Sequence, residues 1–221
     1  MHTEPFTIAF AEGVTLTRWT TAWAERFPRE PLAFVPTDPT EQVAVLHDGR
    51  ADVSFVRLQI SQDARSVMDA LSVIPLYSET PVVIVPKEHP VSLFETVTLA
   101  DIAGEDRVRV GLSAEDGIEL VAVGGGILIV PQSIARLHAR KDVVARPVTD
   151  AEQTRIAIAW LAERTTPQIE EFVGIVRGRT ARSSRSPQPS APDTGRPQRK
   201  PAARTPAARK PAPRKRPRQG R

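Results

Sequence analysis

The chain has 221 residues, no cysteine, four histidines and a formal net charge of +4. The length suffices for one or two lobes with a real core. The missing thiols exclude a disulfide framework or a cysteine-ligated metal, and His2, His47, His89 and His138 lack metal-ligand spacing, so neither metal nor other cofactor is expected. The net charge conceals an asymmetry. Residues 181–221 hold 13 Lys or Arg against one acid, Asp193, for +12, which leaves 17 bases against 25 acids, or −8, for residues 1–180. No apolar run approaches the ~20 residues that cross a bilayer. The opening MHTEPFTIAF lacks a basic segment followed by an apolar core, so no secretion signal is expected and the expected location is the cytoplasm.

In chain order, Phe6 to Ala11 reads as a first buried strand and Gly13 permits a tight turn. Thr15 or Thr17 is placed to cap a following helix, whose unpaired N–H groups make a natural anion site. That helix runs to about Phe27, with Leu16, Trp19, Trp23 and Phe27 at helical spacing, a pattern that favours core packing over ligand stacking. Leu32 to Val35 reads as a second strand closed by Pro36. Thr40 to Asp48 reads as a short helix, with Asp38 or Thr40 as cap, Glu41 completing a box with Asp38, and Gly49 supplying the left-handed stop. Asp52 to Val56 is again strand-like. Strand, short helix and strand make a right-handed parallel crossover, which places ligand groups at the strands' carboxyl ends: Thr37, Asp38 and Arg57.

Ile60 to Ser72 reads as a connector. Val73 to Tyr77 and Pro81 to Val85 read as two strands about a turn, and Val108 to Leu112 as a further strand. Ala114 to Val123 is helical, Gly124 to Gly126 forms a loop, and Ile127 to Val130 is a strand closed by Pro131. The triple glycine lacks the Gly-Lys-Ser/Thr ending of a phosphate loop and follows a helix, so a nucleotide site is rejected. Ser133 to Lys141 is a short helix, and Val143 to Val148 and Thr154 to Trp160 are strands. Thr166 caps a last helix with Pro167 in its first turn and Ile169, Phe172, Val173 and Val176 on its apolar face.

Several of these stretches, in this order, resemble the effector-binding domain of LysR-type transcriptional regulators. They are Leu46-x-x-Gly49-x-x-Asp52 before an apolar strand, the turn Pro86-Lys87-Glu88-His89-Pro90, Val97-Thr98-Leu99-Ala100-Asp101-Ile102, and Leu120-Val121-Ala122 with Gly124 to Pro131. The resemblance covers about residues 5–180. It implies the two-lobed α/β fold of type 2 periplasmic binding proteins, with lobe I at about 5–85 and 150–180 and lobe II at about 90–145. It also implies that a strand within Leu71 to Pro86 crosses to the second lobe, that Val97 to Ile102 is the short helix entering that lobe, that Thr154 to Trp160 returns to the first, and that domains pair side by side as homo- or heterodimers. Two departures stand out. The chain starts at the first effector-domain strand with no helix-turn-helix before it, and only Asp106 to Asp116 lies where relatives carry a longer segment, so lobe II is expected to be short.

No catalytic constellation is readable. Ser133 lacks Gly-x-Ser-x-Gly and a His-Asp partnership, and Asp48 with Asp52, or Glu170 with Glu171, suit a solvated surface, so no enzyme is expected. The effector-binding candidates are Thr15, Thr17, Thr37, Asp38, Arg57, Gly124 and Gly125, with the Arg57 fork suited to a carboxylate. Residues 181–221, rich in Pro, Ala, Arg and Lys, cannot bury enough apolar surface to offset ordering entropy and are expected to be a disordered tail. An imperfect repeat (Lys200 to Arg204, Ala207 to Pro211, Ala212 to Pro217) resembles the basic tails of histone-like nucleoid proteins. Its nucleic-acid candidates are Arg196, Arg199, Lys200, Arg204, Arg209, Lys210, Arg214, Lys215, Arg216, Arg218 and Arg221, which would add association with the nucleoid. The expected function is thus regulator-like, sensing a small effector and holding nucleic acid; the alternative is a small-molecule binding module whose tail only solubilises or localises it.

Overall fold

A computed structural model describes residues 4–59, 70–108 and 111–178. The basic tail and the 60–69 connector lie outside these residues. The elements run β1 (Phe6–Ala11), α1 (Thr17–Arg26), β2 (Leu32–Thr37), α2 (Ala44–His47), β3 (Val53–Gln59), β4 (Leu71–Glu79), β5 (Pro81–Pro86), α3 (Ala114–Ala122), β6 (Leu128–Pro131), α4 (Gln132–Leu137), β7 (Val143–Pro147), β8 (Thr154–Leu161) and α5 (Pro167–Val176). Short 3-10 turns occupy Pro90–Leu93 and Ala162–Arg164.

The strands form two sheets, which is the expected two-lobed α/β arrangement. The first has five strands in the order β2-β1-β3-β8-β4, the second three in the order β6-β5-β7. In the first, β1 is parallel to both β2 and β3, while β8 runs antiparallel between β3 and β4. The β1–β2–β3 unit is therefore the predicted crossover. The Leu-x-x-Gly-x-x-Asp stretch has a local physical reason. Leu46 is buried, Gly49 takes φ +69° at the helix exit, where a Cβ is disfavoured, and the Asp52 carboxylate accepts from the Thr7 N–H at 2.7 Å, opening β1 where its pairing with β3 begins.

Both faces of the first sheet are covered. Phe6, Ile8, Phe55, Ile156 and Ile158 pack against Trp19, Trp23 and Phe172 from α1 and α5, whereas Ala9, Val56, Ala157 and Ala159 meet Val45 and Leu46 of α2. The aromatics that the spacing assigned to the core are there: Trp23 stacks on Phe6 at 5.2 Å and Trp19 on Phe55 at 4.8 Å. Val83, Val85 and Ile127 line one face of the second sheet and Ile84, Ile118 and Val121 the other.

Several expectations are corrected. The two strands expected about a turn, β4 and β5, are separated by Thr80 alone and lie in different sheets. β3 does not stop at Val56. Its antiparallel pairing with β8 extends it to Gln59, opposite Thr154. α1 begins at Thr17 after Leu16 without a side-chain cap from either threonine. α2 is a single turn, because backbone bonds from Glu41 and Gln42 to the Asp38 carbonyl replace the expected capping box. Val97 to Ile102 is a turn held by Asp101, which accepts from the Thr98 N–H and hydroxyl, both at 2.7 Å. Arg107 makes one parallel bridge to Ile127, and the expected strand Val108 to Leu112 includes residues 109 and 110, which lie outside the described residues. Thr166 does cap α5, accepting from the Ile169 N–H at 3.2 Å.

Candidate functional site

A cleft of about 830 Å³ opens between the lobes. The first lobe contributes Phe10, Glu12, Gly13, Val14 and Thr15 from the end of β1 and its loop, Pro36, Thr37 and Asp38 from the end of β2, and Glu41 beyond it. The second contributes Ser113 and Glu115 at the start of α3, and Ser133, Arg136 and Leu137 of α4. This is the position that the carboxyl-end rule assigns to ligands, and the volume lies in the range of small-molecule sites.

Thr37 is 5% exposed and its hydroxyl is the one buried side-chain oxygen without a hydrogen-bond partner among the described residues. Such an orphan costs free energy unless something enters to pair with it. Asp38 beside it is exposed and faces the same space. Thr15 also lines the cleft, so the structure brings together three of the predicted residues: Thr15, Thr37 and Asp38.

Arg57 does something else. Its Nε donates to Glu79 Oε2 at 2.6 Å and its terminal nitrogen to Glu79 Oε1 at 3.2 Å, to the Glu12 carbonyl at 2.8 Å and to Ser133 Oγ at 3.2 Å. The Ser133 and Thr154 hydroxyls donate to the same carboxylate, at 2.5 and 2.9 Å. Burial alone would raise the Glu79 carboxyl, but the hydrogen bonds from Arg57, Ser133 and Thr154 and the Arg57 charge outweigh it and hold the group below its ordinary value. The expected carboxylate clamp is therefore closed internally, where Glu79 ends β4 at the crossing between lobes. Thr17 lies in the first turn of α1, outside the cleft lining. Gly124 and Gly125 follow α3 and are likewise outside it; a Cβ on Gly125 would meet Leu120 of their own helix.

Sequence reasoning missed Glu12, Glu41, Ser113, Glu115 and Arg136, and it weighed Ser133 only as a nucleophile. Glu12 had a usable signal, since it directly follows the first predicted strand, Phe6 to Ala11. The α3 and α4 residues had none, because nothing local says which helix faces the opposite lobe. Gln42 was missed as well. Its side chain accepts from the Arg57 N–H at 2.8 Å and donates to the Arg57 carbonyl at 3.0 Å, standing in for a neighbouring strand after β1 has ended. Among the described residues no group of His, Asp and Glu is arranged to hold a metal.

The LysR substrate binding domain family matches residues 4–116. No curated protein matches the chain. Among solved structures, the BenM effector binding domain with its effector benzoate is 22% identical at a TM-score of 0.63, over 78% of this chain and 90% of that one. A hydrogen-peroxide-bound OxyR mutant of Corynebacterium glutamicum is 19% identical at 0.63, over 79% and 67%. Full-length CbnR complexed with its target DNA is 16% identical at 0.63, over 78% and 70%. The chain thus spans most of an isolated effector domain and about two thirds of a longer regulator, and it shares their fold.

Proposed function

The chain belongs to the LysR substrate-binding domain family, and from that premise we propose that it is a regulatory binding module, not an enzyme, that takes a small organic effector between its lobes. The observation that carries this reading is the cleft at the ends of β1 and β2, lined by Thr37, whose buried hydroxyl has no hydrogen-bond partner among the described residues. A protein retaining a buried polar atom without a partner gains when a ligand supplies one. Thr15 and Asp38 are the other first-lobe contacts, and Ser113, Ser133 and Arg136 the second-lobe ones. Ligand class cannot be taken from Arg57, whose fork already holds Glu79.

The proposal extends to the tail, whose 13 Lys or Arg supply a nucleic-acid contact, with the cytoplasm as the proposed location. A thermal-shift screen of the full chain against small organic acids and amines tests the cleft. A hit should raise the melting temperature in proportion to the logarithm of concentration, and Thr37→Val should weaken it. Silence across a broad library would count against effector binding.

A further inference from the structure

We propose that the cleft is built for a small aliphatic cation bearing a primary ammonium group, rather than for a carboxylate. This rests on the reading of the cleft as a small-molecule site. Four carboxylates line it, Glu12, Asp38, Glu41 and Glu115, against one guanidinium, Arg136, a formal balance of −3. Glu12 meets His138 at 2.5 Å and Glu41 lies 3.7 Å from Arg50, but neither partner lines the cleft. Asp38 and Glu115 form no ion pair among the described residues. The Arg57 charge, outside the cleft lining, is neutralised by Glu79.

The second observation is independent of charge. Thr37, whose hydroxyl is buried and unpaired among the described residues, lines the cleft next to Asp38. An ammonium group has three donors and no acceptor, so it satisfies a hydroxyl oxygen and a carboxylate at once. A ligand carboxylate placed there would face Asp38, and like charges that close repel. Phe10, Val14, Pro36 and Leu137 supply apolar wall for the methylene chain between polar ends. Asp38 comes from the first lobe and Glu115 from the second, so a cation with two donor ends finds a carboxylate on each lobe.

The test is calorimetry on the full chain with four probes: 1,4-diaminobutane, L-lysine, L-norleucine and benzoate. Diaminobutane or lysine should bind, and norleucine, which lacks the terminal ammonium, should bind at least about tenfold more weakly than lysine. The double variant Asp38→Asn, Glu115→Gln should lower the affinity of the bound amine at least about tenfold with an unchanged melting temperature, since both side chains are exposed. Diaminobutane and lysine separate a plain diamine from a basic amino acid whose carboxylate uses Arg136. Amine binding that the double variant leaves intact overturns the proposal. Benzoate binding without amine binding overturns it while the small-molecule reading stands. If neither amines nor a broad acid library bind, both readings fall.

Discussion

Glu79 and Arg57 meet at the crossing between the lobes, with side chains 4% and 16% exposed. Each is tolerable there only because the other is. Removing one partner of a buried pair leaves an uncompensated charge, so Arg57→Ala should cost about 3–5 kcal/mol by denaturant unfolding at neutral pH. The sign of its pH dependence follows from Glu79. A carboxyl held below its ordinary 4.5 in the folded state stabilises above that value, and the contribution is lost as pH falls through the folded pKa. In Arg57→Ala, burial acts unopposed by Arg57 and moves the same carboxyl upward. The stability gap between wild type and variant should therefore narrow below about pH 4.5, and a gap that widens would refute this account. Thr37 makes the opposite prediction. Thr37→Val removes an unpaired buried hydroxyl at nearly constant shape, so the unliganded protein should be unchanged or gain about 1 kcal/mol.

At the scale of elements, caps and turns explain why some boundaries were legible and others were not. Ser113 and Thr166 cap their helices through their own hydroxyls, accepting from Asp116 and Ile169, and both helices begin where the sequence places them. Thr166→Ala should cost about 1 kcal/mol in a thermal or chemical melt. Asp38 and Thr40 look as good on paper, but the Asp38 carbonyl, not its carboxylate, takes the first bonds of the turn. The glycine loop after α3 is a matter of backbone shape. Gly126 has φ +120°, and a Cβ there would lie 2.5 Å from the Asp106 carbonyl oxygen. Gly126→Ala should cost more than about 2 kcal/mol, and Gly125→Ala should destabilise as well, since its Cβ would lie 2.5 Å from the Leu120 side chain and 2.9 Å from the Leu120 carbonyl oxygen, with ligand binding by the folded protein unaltered because Gly125 is outside the cleft.

At the scale of the whole molecule, the charge division predicts salt-dependent association. With about 6 phosphate contacts, a log–log salt slope of roughly −5 is expected for DNA binding by the full chain. A chain ending at Arg179 should lose this binding. Equal binding by both forms would put the contact in the acidic part and sink the tail proposal. Pairing of domains is proposed from the resemblance alone, and a monomer mass by light scattering at working concentration would dismiss it.

The sequence by itself determined the elements and much of their connection. Periodicity marked the α1 aromatics, apolar runs marked β1, β5 and β8, and Leu46, Gly49 and Asp52 marked the parallel crossover, because these features act over a few residues. Strand-end logic pointed to Thr37, Asp38 and Arg57, and the start of the first helix to Thr15. Tertiary structure alone decided what Arg57 does. Its partner Glu79 is 22 residues away, reached because β8 pairs with β3 on one side and β4 on the other. It also decided that α3 and α4 bring Glu115, Ser133 and Arg136 to the cleft. Side-chain partners across a sheet or between lobes are set by register and packing over long separations, and no local pattern encodes which acid will neutralise which base. That is why a carboxylate clamp was legible in the chain and an acidic cleft was found in the fold.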